Sequence, residues 1–203
     1  SLPNYRTETR YPAFHDIVRL ELQKNFNEKE LRTKGLAVET NLDPVLQDSL
    51  ENNLQKTKLQ LIKKYGSRLE GLEGAAIVVD ISSGEVKAVA GSTEPSSYGF
   101  NRSINAIRPI GSLVKPFIYL TALDQYSDYN LTTLLDDSKL SLMSGGKLWE
   151  PDNFDKKFHG EIPLHVALWQ SYNIASARLG LDVGYEAVEN MFLNLGITKE
   201  VPN

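Results

Sequence analysis

The 203-residue sequence predicts a mixed α/β (α+β) fold. Three observations carry that reading. Apolar residues recur at helical spacing in several separate segments. Between them, Gly74-Ala-Ala-Ile-Val-Val-Asp80 and Glu85 to Ala90 read as two strands joined by the turn Ser82-Ser83-Gly84. Apolar residues make up 41% and charged residues 24%, the balance of a folded soluble domain with enough chain for a real core.

In chain order, a polar lead-in precedes a helix over Ala13 to Phe26, where Phe14, Ile17, Val18 and Leu22 share a face. A short strand, Leu36 to Thr40, follows Gly35. The strongest helix signal comes next. Asp43 is placed to cap, Pro44 suits a first turn, Val45, Leu46, Leu50, Leu54 and Leu61 form a stripe, and Gly66 ends it. After the hairpin, Ser112 to Gln125 is apolar nearly all round, which predicts a helix in the middle of a domain. The turn-rich stretch Asp128 to Gly160 leads to helical pieces at Pro163 to Gln170 and Ile174 to Leu179, broken by Ser171-Tyr172-Asn173. A last helix runs from Tyr185 to Leu195 and stops at Gly196.

Composition excludes several function classes. The longest aliphatic run, Ala75 to Val79, is far short of the ~18 apolar residues a spanning helix needs. A net charge of −4 with Arg102, Arg108 and Arg178 scattered argues against nucleic acid as the main partner. With no cysteine, disulfide scaffolds, thiol nucleophiles and cysteine zinc sites are ruled out. His159-Gly160-Glu161 has the H-x-E spacing of zinc deaminases but lacks the cysteines of that site, and His15 and His165 fall on helix faces, so no metal is expected. Residues 1–70 hold 12 basic and 10 acidic groups, residues 71–203 hold 10 and 16, and the pattern changes near Gly71 to Gly74. The chain opens on serine without a secretory leader, so a piece of a longer protein is expected.

Two small motifs carry candidate chemistry. In Ser112-Leu113-Val114-Lys115, i and i+3 share a helix face, so a hydroxyl and an amine meet in a first turn where free N–H groups favour developing negative charge. A lysine in an apolar surround favours its neutral form and can take the serine's proton. Ser144-Gly145-Gly146-Lys147 fits the same spacing, but two central glycines disfavour a helix there. In the break, Ser171 and Asn173 can project into one cleft as proton relay and amide anchor, or serve as an ordinary helix cap. Tyr172 is a cleft wall or core.

S-x-x-K followed by S-x-N in the next helical region resembles the ordered signature of penicillin-binding proteins and serine β-lactamases. The surroundings are similar to class A penicillin-binding proteins of the bifunctional 1b type: Phe100-Asn101-Arg102 leading into Ile110-Gly111-Ser112, Ala76-Ile-Val-Val-Asp80 with Ser83-Gly84-Glu85-Val86, and Trp149-Glu150-Pro151-Asp152-Asn153. Arg10-Tyr11-Pro12-Ala13-Phe14 and Thr40-Asn41-Leu42-Asp43 with Leu46-Gln47 resemble the linker between glycosyltransferase and transpeptidase domains. The resemblance implies a linker over residues 1–73 and the N-terminal part of a transpeptidase domain over 74–203. Its fold would be a mainly antiparallel sheet packed with helices, cut short at the C-terminus.

The implied activity is D,D-transpeptidation of peptidoglycan stem peptides ending in D-Ala-D-Ala, with β-lactams acylating the same serine. Ser112 would be the nucleophile, Lys115 its base, Ser171 the relay to the departing D-alanine and Asn173 the substrate's amide anchor. No cofactor is implied. The implied setting is the periplasmic side of the inner membrane, anchored through a preceding segment. Self-association through an exposed sheet edge and docking of a protein regulator on the Pro44 to Tyr65 helix are further expectations. The family's K-[ST]-G does not occur: Lys56-Thr57 is followed by Lys58. That strand would bind the substrate carboxylate and supply an oxyanion donor whose loss costs about 10²–10³ in rate. The same motifs admit a β-lactamase or penicillin-sensing receptor, and the missing third motif admits a non-catalytic module that positions domains or receives a regulator.

Overall fold

The computed structural model describes residues 10–94 and 99–197, so the lead-in before Arg10 lies outside the described residues. The chain divides into two compact units, one running through Arg108 and the other from Pro109. The first unit opens with α1 (Pro12–Leu22), whose proline sits at its first turn, and α2 (Glu28–Thr33). A capping box starts α2: the Asn27 side chain accepts from Glu30 N–H and Glu30 accepts from Asn27 N–H, both at 3.0 Å. Helix α3 (Pro44–Tyr65) follows the sequence reading closely. Asp43 Oδ1 accepts the Val45 and Leu46 N–H groups at 2.9 and 3.0 Å, and Gly66 closes the helix at φ 87°. The expected strand over residues 36–40 does not form. A segment becomes a strand only by pairing, and among the described residues no strand pairs with this one.

Strands β1 (Ala76–Val79) and β2 (Val86–Ala90) form the expected antiparallel hairpin, with an irregularity between Val78 and Val79. Asp80 sets its turn by accepting from Ser82 N–H, Ser82 Oγ and Ser83 N–H, which hold its carboxyl down at about 2. Helices α1 and α3 pack on β2, and Tyr11, Phe14 and Val89 form the buried centre. Buried Gln47 of α3 stands in for a neighbouring strand: its Oε1 accepts Val89 N–H at 2.8 Å and its Nε2 donates to Val89 O at 2.7 Å. The short α4 (Arg102–Asn105) closes the unit. Buried Asn101 caps it and donates to Ala13 O and Asp16, and a Cβ at Gly91 would collide with the Asn101 side chain.

In the second unit, the expected single helix over 112–125 is a 3₁₀ turn (Gly111–Val114) running into α5 (Lys115–Asp124). The reason is Pro116, which has no N–H for the i→i−4 ladder. Tyr119 and Ala122 are buried, whereas Leu113 and Leu120 stay exposed, so the helix covers one side only. Strands β3 (Leu134–Asp136) and β6 (Glu161–Pro163) pair antiparallel, as do β4 (Leu142–Ser144) and β5 (Lys147–Trp149). The second S-x-x-K spacing is therefore a hairpin turn, with Gly145 and Gly146 both at positive φ, 55° and 75°. Helices α6 (Leu164–Trp169), α7 (Asn173–Val183) and α8 (Tyr185–Asn194) complete the unit, and α5 packs on all three. Tyr119, Leu135, Leu164, Ala167, Ala175 and Leu179 lie at its centre.

The hairpin β1–β2 packs on α1 and α3, and the two compact units divide after Arg108. Among the described residues, no helix is long and apolar enough to cross a membrane.

Candidate active site

Lys115 begins α5 and is only 5% exposed. Its Nζ donates to Ser171 O at 2.5 Å, Ser171 Oγ at 3.0 Å and Asn173 Oδ1 at 2.7 Å, which occupies all three ammonium protons. Burial pushes the Lys115 amine below its ordinary range, and the negative charge of Asp137 partly opposes that. The S-x-N motif thus meets the lysine of S-x-x-K although Ser171 lies 56 positions after Lys115.

Ser171 lies in the tight link between α6 and α7 at φ 56°, a left-handed conformation that a residue with a Cβ adopts at a cost. The turn presents both its carbonyl and its hydroxyl to Lys115. Asn173 is the first residue of α7, and its Nδ2 donates to Asp152 O at 2.7 Å, which leaves Oδ1 facing Lys115. The helix-cap reading of Ser171 and Asn173 does not hold, because neither side chain caps α7.

Ser112 sits in the exposed 3₁₀ turn one turn before Lys115, and Lys115 N–H donates to Ser112 O. Among the described residues, the Ser112 hydroxyl has no hydrogen-bond partner, so the structure assembles Lys115, Ser171 and Asn173 and leaves Ser112 beside them, unengaged. A 3₁₀ turn eclipses i and i+3, which keeps Ser112 on the lysine's side.

Sequence reasoning missed the residues that support this group. Buried Asn153 accepts Asn173 N–H at 2.7 Å and Ile174 N–H at 3.3 Å, and buried Asp137 accepts Ala175 N–H at 3.0 Å. Together they satisfy the free first-turn N–H groups of α7. Asp137 Oδ2 in turn receives Asn153 Nδ2 and His159 Nδ1, each at 2.7 Å. The one sequence signal was the Trp149 to Asn153 run, whose role as a cap is tertiary and invisible to spacing.

Comparison with known proteins identifies the family. A family model described as the penicillin-binding protein transpeptidase domain matches residues 74–202. Penicillin-binding protein 1B of Vibrio cholerae is 42% identical over 193 residues, covering 95% of this chain and 24% of its own length. The protein of the same name from Escherichia coli is 38% identical over 192 residues, covering 93% of this chain and 22% of its own length. The chain thus spans about a quarter of the curated relatives it matches. The fold is shared with PonA1 of Mycobacterium tuberculosis, solved in complex with penicillin V, at a TM-score of 0.70 and 24% identity over 95% of this chain and 48% of that one. The chain belongs to the penicillin-binding protein transpeptidase family, with class A proteins of the 1b type as its relatives.

Proposed function

We propose that this chain is the D,D-transpeptidase portion of a bifunctional penicillin-binding protein, with residues 1–73 as its linker and 74–203 as the N-terminal part of its transpeptidase domain. The observation that supports it most is the buried Lys115 amine, held by the S-x-N turn and three residues along the chain from Ser112. Neutral Lys115 takes the Ser112 proton as Ser112 Oγ bonds to the carbonyl carbon between the terminal D-alanines. The carbonyl electron pair moves to oxygen, then returns as the C–N bond breaks. Lys115 gives its proton through the Ser171 hydroxyl to the departing D-alanine amine, which leaves an acyl-enzyme on Ser112. Asn173 holds the peptide amide. An amine from a neighbouring stem peptide then takes the acyl group. A β-lactam enters by the same first step, but its amine stays tethered and the ester hydrolyses slowly.

One competing reading, a non-catalytic module that positions domains, takes support from the Ser112 hydroxyl, which has no hydrogen-bond partner among the described residues. Covalent labelling by a fluorescent penicillin, read by intact mass, separates the two. The expected result is label on the parent chain and none on Ser112→Ala; label persisting on Ser112→Ala, or none on the parent, supports the competing reading. The labelling rate should climb with pH to a midpoint below ordinary lysine, because a depressed Lys115 is neutral at lower pH. A midpoint at or above the ordinary value would remove Lys115 as the base. The proposal includes a membrane anchor in a preceding segment and work on the periplasmic face of the inner membrane, as the family likeness suggests.

A further inference from the structure

The turn that carries Ser171 and Asn173 closes α6 through Ser171 N–H to Leu168 O and Tyr172 N–H to Ala167 O, both at 3.0 Å, but supplies no side-chain cap of its own to α7. Ser171 is left-handed, and Tyr172, at the N-cap position of α7, provides no side-chain cap. The α7 N–H groups are answered instead by Asn153 and Asp137, which approach from outside the helix. Asp137 is fully buried and is fixed from every side: its N–H donates to Gly160 O at 2.7 Å, and its Oδ2 receives Asn153 and His159. Its negative charge lies at the positive end of the α7 dipole.

His159 links this anchor to the turn in a second way. Its ring stacks on Tyr172, the residue between Ser171 and Asn173, with centroids 4.0 Å apart and planes 21° from parallel. Its Nε2 lies 3.1 Å from Asp155 Oδ2, so both ring nitrogens face carboxylates. Among the described residues, the titratable or aromatic groups that face the ring are Asp137, Asp155 and Tyr172. Although His159 makes no hydrogen bond to Ser112, Lys115, Ser171 or Asn173 among the described residues, it grips the turn through Tyr172 and the helix start through Asp137.

We propose that His159 and Asp137, with Asn153, are positioning residues that hold the Ser171–Asn173 turn against Lys115. This rests on the reading of Lys115, Ser171 and Asn173 as the working group of a transpeptidase. The residues act on the reaction by keeping three acceptors on the Lys115 ammonium and a negative charge behind them. Removing the grip releases the acceptors, and the ammonium loses stabilisation.

The test is NMR on the chain itself, for His159→Ala, His159→Asn and Asp137→Asn, with backbone amide exchange and titration of the Lys115 ε-carbon as readouts. In His159→Ala, exchange at Asn173, Ile174 and Ala175 should quicken about tenfold, equivalent to ~1.4 kcal/mol of local opening, while Leu179 and Val183 on the same helix stay unchanged. His159→Asn should restore protection, since the Asn Nδ2 can take the place of His Nδ1 on Asp137. The Lys115 midpoint should fall in His159→Ala and in Asp137→Asn, because an ammonium that loses acceptors or a nearby anion gives up its proton more readily. Asp137→Asn preserves side-chain shape and serves where His159→Ala does not fold. Exchange that quickens evenly along α7, or a Lys115 midpoint that does not move, would reduce these residues to packing and overturn the proposal. Penicillin label persisting on Ser112→Ala would sink the transpeptidase reading instead and leave the exchange result standing.

Discussion

At the scale of single residues, Ser171 shows how conformation and chemistry compete. A glycine would adopt its φ of 56° without strain, yet glycine has no hydroxyl to meet Lys115. Alanine removes the hydroxyl and keeps the Cβ, so the two substitutions separate the effects. Ser171→Gly should be more stable than Ser171→Ala by about 1 kcal/mol in urea unfolding, the reverse of the usual order inside regular structure. Both should lose penicillin labelling alike, because both lack the hydroxyl proposed as the relay. Equal stabilities would mean that the turn relaxes out of the left-handed region. The four candidate site residues were legible because their spacing is local: S-x-x-K and S-x-N each fit within one turn of chain. Asp137, Asn153 and His159 were not, since a carboxylate 38 positions before the amide it caps leaves no periodic trace.

At the scale of elements, sequence and structure agree wherever an end signal and an apolar stripe coincide. Helix α3 has Asp43, Pro44, its leucines and Gly66, and it forms over Pro44–Tyr65. The short α2 has only its capping box, Asn27 with Glu30, and no buried residue, so hydrophobic periodicity passes over it. Strands β3 and β6 are three residues each, too short for alternation to register, and only their pairing defines them. The docking of α3 on the hairpin depends on one amide. Replacing Gln47 by Ala or by Leu should cost about 2–4 kcal/mol, because Val89 N–H and O are both left buried without partners. Leu restores most of the volume, so if Gln47→Leu recovers wild-type stability in denaturant unfolding, the contact is one of packing and the strand-mimic account fails.

At the scale of the whole molecule, the hairpin leaves Ile77 and Val79 of β1 exposed and Ile81 fully so, and among the described residues β1 pairs with β2 alone. An apolar face beside an unpaired edge invites a second chain. Light scattering should give a mass above that of one chain, and Ile77→Lys with Val79→Lys should bring it down to one. A parent chain that is monomeric at high concentration would dismiss self-association through this edge. In the other unit, the capping of α7 also bears on the order in which the chain folds. Its first turn waits for residues 20 and 38 positions earlier to arrive, and Lys115 waits for a residue 56 positions later. Closing those loops costs chain entropy before any bond is returned. Local helices such as α3, which holds its own cap, have no such delay. The arrangement around Lys115 is therefore a late product of folding, and a partly folded chain can have most of its helices without it.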